Sequence, residues 1–324
     1  MANIQSDLMS MQSHGVDVIR WWMFQEFNGT GPALDSSGIP TGLANGTVVA
    51  DIKAALALAK QIGVHYNFTL FSFDNFTVNS TNHDLGKVIT NAAYLAKLEA
   101  FVALVAQTVE QDANKDRVVS WDVINEPEWA IGGMDGDVTA TDNSGTDPYS
   151  DPNFNGGGSG KTVDLVTFSQ MESFVRATVT TLHANSSAKV TVGGAAIKWK
   201  EAWQHVGLDY TTVHMYDWIN QWYPYNAAVS SFGLSTPVVM GEFPSGGLSA
   251  ITASAGVTPN GAWASPAPAV PYDTMVSTIF GSSVGYAGAM SWAFNDSSSA
   301  SFSWTTYAPA IQTFATSEPC VTKF

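Results

Sequence analysis

The sequence predicts an α/β fold in which parallel strands close into a single barrel. Three observations lead there. Short apolar runs alternate with helix-spaced segments along the whole chain, no linker interrupts the alternation, and several strand runs are apolar throughout, as strands covered on both faces must be. Continuous repetition of this kind favours a closed barrel over a doubly wound sheet. With 324 residues, 45% of them apolar, the chain can bury one large core, so a single domain over 1–324 is expected.

Taken in order, Ile4, Leu8 and Met11 recur at helical spacing in a segment from Ile4 to His14 that ends at Gly15. Val16 to Phe24 follows as a strand. An amphipathic helix from Val48 to Ile62 is stopped by Gly63, and its strand runs from Val64 to Phe71. Leu85 to Asp112 reads as one long helix, with the strand Val118 to Ile124 after it. From Ile131 to Lys161 the chain is mostly Gly, Asp, Asn, Ser and Thr. Compact domains rarely carry so long a loop without a function, so this one is expected at the active-site face. Val163 to Ala184 is helical, and Lys189 to Gly194, Tyr210 to Tyr216 and Pro237 to Gly241 are strands. A helix over Tyr272 to Phe280, a strand from Gly285 to Trp292 and a helix over Tyr307 to Ala315 complete the chain. The strands number seven.

Composition narrows the partners. With 13 Lys and Arg against 28 Asp and Glu, the net charge is −15, so neither nucleic acid nor an anionic membrane surface is an expected partner. No run of about 18 apolar residues predicts a transmembrane helix. The single cysteine, Cys320, excludes an intramolecular disulfide and a cysteine metal cluster. The N-terminal Met-Ala-Asn-Ile-Gln-Ser-Asp has neither the charged nor the apolar region of a secretory signal. Several of the 11 tryptophans stand beside or within two residues of Gly, Pro, Asn or Asp, where flat amphipathic ligands such as sugar rings could stack.

The strongest chemical signal is Trp121-Asp122-Val123-Ile124-Asn125-Glu126-Pro127-Glu128. A buried strand runs into Asn-Glu-Pro, where proline ends the ladder and leaves a carboxylate at the strand's carboxyl end. Thr236-Pro237-Val238-Val239-Met240-Gly241-Glu242-Phe243 repeats that grammar. On a barrel, two such carboxylates can face each other across the mouth, where catalytic residues of this architecture lie. A pair about 5–5.5 Å apart is the arrangement of retaining glycoside hydrolysis: one carboxylate attacks the anomeric carbon, and the other donates and later removes a proton.

Competing motifs are weaker. Asn155-Gly156-Gly157-Gly158-Ser159-Gly160-Lys161-Thr162 approaches a phosphate-binding loop, but Asn155 replaces the first glycine and no apolar strand precedes it. Asp135, Asp137, Asp142, Asp147 and Asp151 could hold a structural calcium ion, although their spacing is not that of an EF-hand. No other cofactor is implied.

From Val16 to about Asp296 these motifs resemble glycoside hydrolase clan A, most closely family 5, the cellulases and mannanases. The resemblance implies a (β/α)8 TIM barrel with Glu126 as acid/base, Asn125 as a ligand for the sugar 2-hydroxyl, and Glu242 as nucleophile. It also implies that His214, in His214-Met215-Tyr216, supports the acid/base and that Tyr216 hydrogen-bonds the nucleophile. Arg20 is similar to the arginine that keeps the nucleophile ionised, and Trp292 to the tryptophan flooring the subsite of cleavage. Trp129, Trp218, Trp222 and Tyr223 are candidate sugar platforms.

There are two departures from the pattern. A histidine common near the end of the third strand is replaced by Thr69-Leu70-Phe71-Ser72-Phe73-Asp74, with His65 at the other end. In this clan the helix ending at Ser13-His14-Gly15 follows strand one, so the first strand is missing or supplied by another segment. Such an edge could also join copies of the chain, leaving either a monomer or a homo-oligomer.

The expected function is therefore a retaining, endo-acting hydrolase of β-1,4-linked glucan or mannan. The pKa of Glu126 is expected to be raised by the neighbouring carboxylate. A polymeric substrate and an acidic surface suggest an extracellular location. The alternative is a non-catalytic sugar-binding barrel, and a third reading is a calcium-dependent interaction module on the acidic loop.

Overall fold

A computed structural model of the chain describes residues 2–24, 32–36, 38–43, 47–76, 85–132, 163–220, 223–252, 266–281, 283–294 and 303–317. The first helix, α1 (Ala2–Ser13), leads through Gly15 into β1 (Val18–Trp22). A short antiparallel pair follows, β2 (Ala33–Leu34) and β3 (Pro40–Gly42), too brief to show any sequence alternation. Next, α2 (Thr47–Ile62) buries Val48, Ile52, Leu56 and Ala59, one stripe at helical spacing. It feeds β4 (His65–Ser72).

The long helix expected over 85–112 is two helices, α3 (Leu85–Ile89) and α4 (Ala92–Glu110). Asn91 divides them, because its side chain accepts the backbone N–H groups of Ala93 and Tyr94 and so starts a new helix. Among the described residues α4 is long and apolar enough to cross a membrane. Leu98, Phe101, Val102, Val105, Ala106 and Val109 are buried in the protein core, which accounts for that composition.

The chain continues through β5 (Val118–Asn125), α5 (Phe168–Asn185), β6 (Lys189–Gly194), β7 (Thr211–His214) and β8 (Val238–Pro244). It ends with α6 (Tyr272–Ile279), β9 (Gly288–Trp292) and α7 (Trp304–Ser317). Two boundaries shift for evident reasons. The helix expected from Val163 starts at Phe168 behind a reciprocal Thr167/Gln170 cap, while Val166 bridges to Ile131. The strand expected to stop at Gly241 runs on to Pro244, so Glu242 lies inside it.

The seven long strands form one parallel sheet in the order β1-β4-β5-β6-β7-β8-β9, each hydrogen-bonded to its chain-order neighbour. Helices cover the outside, and Leu70, Trp121, Val123, Val192, Val213 and Met240 belong to the buried core. Residues at the carboxyl ends of the strands, Asn125, His214, Glu242 and Trp292 among them, share one rim.

The fold is thus the expected α/β barrel with one seam. Among the described residues no ladder joins β1 to β9. Counting backbone and side chain together, every residue of these two strands keeps some exposure, whereas β7 and β8 are buried throughout. A cavity between them is lined by Val18, Arg20, Glu242, Ala289, Trp292 and Phe314. Side chains cross where the backbone does not: the rings of Trp22 and Trp292 lie 5.2 Å apart. Around the seam, Trp304 on α7 donates to Ser10 on α1 at 2.9 Å, and the Tyr307 hydroxyl donates to the Ala293 carbonyl at 2.8 Å.

Candidate active site

Glu126 follows β5 directly and is the non-glycine residue with positive φ among those described (φ 49°, ψ 51°). Left-handed backbone there costs on the order of 1–3 kcal/mol and persists only where neighbours hold it. Its N–H donates to the Gly193 carbonyl at 2.7 Å, and Pro127 opens a single 3-10 turn, Pro127–Ala130. The Trp129 indole in that turn donates to Glu126 Oε2 at 3.0 Å, and His214 Nδ1 lies 2.8 Å from Oε1. Burial pushes the Glu126 carboxyl up to about 7; Arg20 and the Trp129 bond pull the other way, and Asp74 adds to the rise. Loss of water is therefore the leading cause, in place of the neighbouring carboxylate expected from sequence.

Glu242 is aimed by a bulge. Val213 pairs with Met240 and His214 with Glu242, so β8 carries one more residue than β7 at Gly241. A Cβ at Gly241 would stand 2.0 Å from Thr212 Cγ2 and 3.2 Å from the His214 ring, which leaves room for glycine alone. Glu242 Oε1 accepts Arg20 Nη1 at 2.5 Å, and Oε2 accepts the Tyr216 hydroxyl at 2.8 Å. One oxygen from each of the two glutamates and a ring nitrogen of His214 lie within 4.8 Å of one another.

Arg20 is the hub. Besides Glu242, it donates from Nε and Nη2 to Asp122 Oδ2 at 3.0 and 2.6 Å, and from Nη2 to Asn125 Oδ1 at 2.8 Å. Burial opposes its charge, but Asp122 and Glu242 outweigh that and hold the guanidinium's pKa above its ordinary value. Because Asn125 gives its oxygen to Arg20, its amide N–H groups remain for a ligand. Asp122 also accepts the Gly193 N–H at 2.8 Å and the Thr69 hydroxyl at 3.2 Å. A side chain at Gly193 would strike Arg20 Nη2 at 2.7 Å and Asp122 Oδ2 at 2.9 Å.

His214 is completely buried, and burial lowers its pKa to about 4, so the ring is neutral at ordinary pH. Nε2 has no hydrogen-bond partner, while Nδ1 lies 2.8 Å from Glu126 and 3.5 Å from Glu242. A bare nitrogen is cheaper to bury than an orphan N–H, which assigns the proton to Nδ1. His214 then donates toward the carboxylates.

Arg20, Asn125, Glu126, His214, Tyr216 and Glu242 thus form one polar cluster at the barrel mouth, with Trp292 at the adjoining strand end beside Trp22. Trp129 packs edge-on against Trp199 at 5.5 Å while serving Glu126, and Tyr223 is partly buried against the core. The side chain of Trp218 and all of Trp222 lie outside the described residues, as do the glycine-rich loop and the acids considered for calcium, Asp135, Asp137, Asp142, Asp147 and Asp151.

Two acids were not singled out from sequence as site residues, Asp122 and Glu128. Both are buried, at 1% and 0% exposure. The signal was present: an ionisable residue inside an apolar strand, as Asp122 is, or three places beyond one, as Glu128 is, requires a partner once it is buried.

Comparison with known proteins gives no matching family model and no similar curated sequence. Solved structures do match. The β-mannanase of the blue mussel Mytilus edulis superimposes with a TM-score of 0.71 at 22% identity, covering 97% of this chain and 84% of that one. The β-1,4-mannanase of the sea hare Aplysia kurodai gives 0.71 at 19%, covering 97% and 85%. The β-1,4-D-mannanase of Cryptopygus antarcticus gives 0.72 at 18%, covering 97% and 83%. The chain therefore has the fold of these mannanases, an α/β barrel with its strand ends gathered at one mouth.

Proposed function

We propose that the protein is a glycoside hydrolase of clan A, close to family 5, that cleaves β-1,4-linked mannan by a retaining double displacement. The observation that carries this reading is the pairing of Glu126 and Glu242, with one oxygen of each inside the 4.8 Å cluster. That spacing suits the retaining pair, at about 5–5.5 Å, and is too short for the water of an inverting pair, at about 6.5–9.5 Å. Mannan is preferred over glucan because the similar solved structures are those of mannanases.

Glu242 attacks the anomeric carbon, its charge matched until then by Arg20 and its second oxygen aligned by Tyr216. Glu126, with a pKa near 7, carries the proton that the leaving oxygen takes. Once Glu242 is esterified its charge is gone, Glu126 can remain ionised, and it then removes a proton from the water that frees the sugar. Asn125 holds the 2-hydroxyl of the sugar, and Trp292 floors the subsite where the bond breaks. A polymeric substrate is best met outside the cell by an endo-acting enzyme.

The experiment is product analysis on mannan, glucan and xylan, with proton NMR of the first-formed anomer. Release of β-configured manno-oligosaccharides is the expected outcome. Binding without release of reducing sugar would favour the sugar-binding alternative. Glu126→Ala and Glu242→Ala should each lower turnover by about 10²-fold or more; unchanged turnover in either would remove the assignment.

A further inference from the structure

We propose that Glu128 is a positioning residue for Glu126: it locks the turn that carries Glu126 to the end of β6 and sets a second carboxylate against it. The proposal rests on the catalytic reading above. Glu128 is fully buried, yet no cation pairs with it among the described residues. Its oxygens are served instead by two N–H donors, Trp203 Nε1 to Oε1 at 2.7 Å and the Ala195 backbone to Oε2 at 3.0 Å.

The grip is double. The Glu126 N–H holds the Gly193 carbonyl at 2.7 Å, and the Glu128 carboxylate holds the Ala195 N–H two residues further on. The left-handed backbone at Glu126 is fixed between these two bonds. Gly194 lies between them, where a Cβ would come within 2.9 Å of the Thr212 carbonyl and 3.5 Å of Glu128 Oε1. An apolar side chain at 128 would fill the space without the second bond.

The electrostatics follow from the same arrangement. Glu126 faces Arg20 from β1, Asp74 from the turn after β4, His214 and Tyr216 from the end of β7, Glu242 from β8, and Glu128 from its own turn. On the β6 side of that turn, Lys198 rests its ammonium on the Trp199 ring at 4.5 Å. Burial pushes the Glu128 carboxyl up to about 7 as well, and the charge of Glu126 adds to that rise, while the Trp203 and Ala195 N–H donors pull it back down. The repulsion is mutual, so when Glu128 ionises, its charge, two residues away in a dry setting, resists ionisation of Glu126 and keeps that proton available for the leaving group.

The test is the pH dependence of kcat/KM for the wild type and Glu128→Gln. Two substrates are used, an oligosaccharide the enzyme cleaves and an aryl glycoside whose leaving group departs without protonation. In Glu128→Gln the alkaline limb should move down by at least about half a pH unit, roughly a threefold change in the ionisation ratio. Activity above neutrality should fall on the oligosaccharide and hold on the aryl glycoside. An unmoved limb with equal losses on both substrates means a purely structural role and overturns the proposal.

The amide of the variant sets an NH2 against one of the two donors, which can prevent folding. Trp203→Phe is the second variant, since it removes one donor while keeping a ring stacked on Phe168, 5.4 Å away. With Glu128 less readily charged, the limb should again move down, and an unmoved limb there is equally decisive. Glu242→Ala is run in parallel: if it keeps wild-type turnover, the catalytic reading itself has failed, whatever Glu128→Gln does.

Discussion

Arg20 touches Asp122, Asn125 and Glu242 at once, and its side chain is only 6% exposed. Replacing it with Leu leaves two buried carboxylates without their cation. Breaking a buried pair in this way costs about 3–5 kcal/mol, so urea unfolding of Arg20→Leu should show a loss of that size together with loss of activity. Glu126 and Glu128 make a different prediction. Each is held up to about 7 when folded, first by burial, against an ordinary 4.5. Protons bound only by the folded state stabilise it fully below about 4.5, and that stability declines as pH rises through 7. The thermal midpoint should therefore be higher at pH 5 than at pH 7.5, and Glu128→Gln should narrow the difference; an unchanged difference contradicts it. Sequence motifs named six of the residues that meet at the mouth. Asp122 and Glu128 escaped because their work is to hold other residues, and no spacing rule marks that.

The β8 bulge decides where Glu242 points. Gly241→Ala would press a methyl onto Thr212 Cγ2, 2.0 Å away. Overpacking of this kind costs about 1–3 kcal/mol, and the displaced Glu242 should lower kcat more than it changes KM. Adding Thr212→Ser removes that methyl but keeps the hydroxyl bonded to Thr191 at 2.8 Å. The double variant should recover much of both losses; recovery of neither means that the bulge is not set by this contact. Strands were the more legible elements, because buried parallel strands are uniformly apolar. Helix ends were less so: Asn91 hides its cap inside an apolar run, and Val163 and Val166 look helical although each forms an isolated bridge instead. The bulge was invisible, since an extra residue in a ladder shows only against its partners.

At the scale of the molecule, and among the described residues, the barrel is hydrogen-bonded from β1 round to β9 with no ladder joining the two ends. Seven strands could be counted in the sequence, but what lies between the first and the last could not. Backbone groups on the two seam edges have few ladder bonds to protect them, so amide exchange should be faster in Val18–Trp22 and Gly288–Trp292 than in the buried β7 and β8. Equal protection around the ring would mean that the seam is sealed in solution. Glu242→Gln tests what holds it: with the ion pair to Arg20 weakened, exchange at both edges should rise further.

That ion pair joins β1 to β8, spanning β9 and the open seam, and it is also the bond that the proposed chemistry consumes. Each time a sugar takes the charge from Glu242, Arg20 loses one of its counter-ions, and hydrolysis restores it. The latch on the barrel's open side would then be released and reset once in every catalytic cycle, so the rhythm of the chemistry and the breathing of the fold would share one bond.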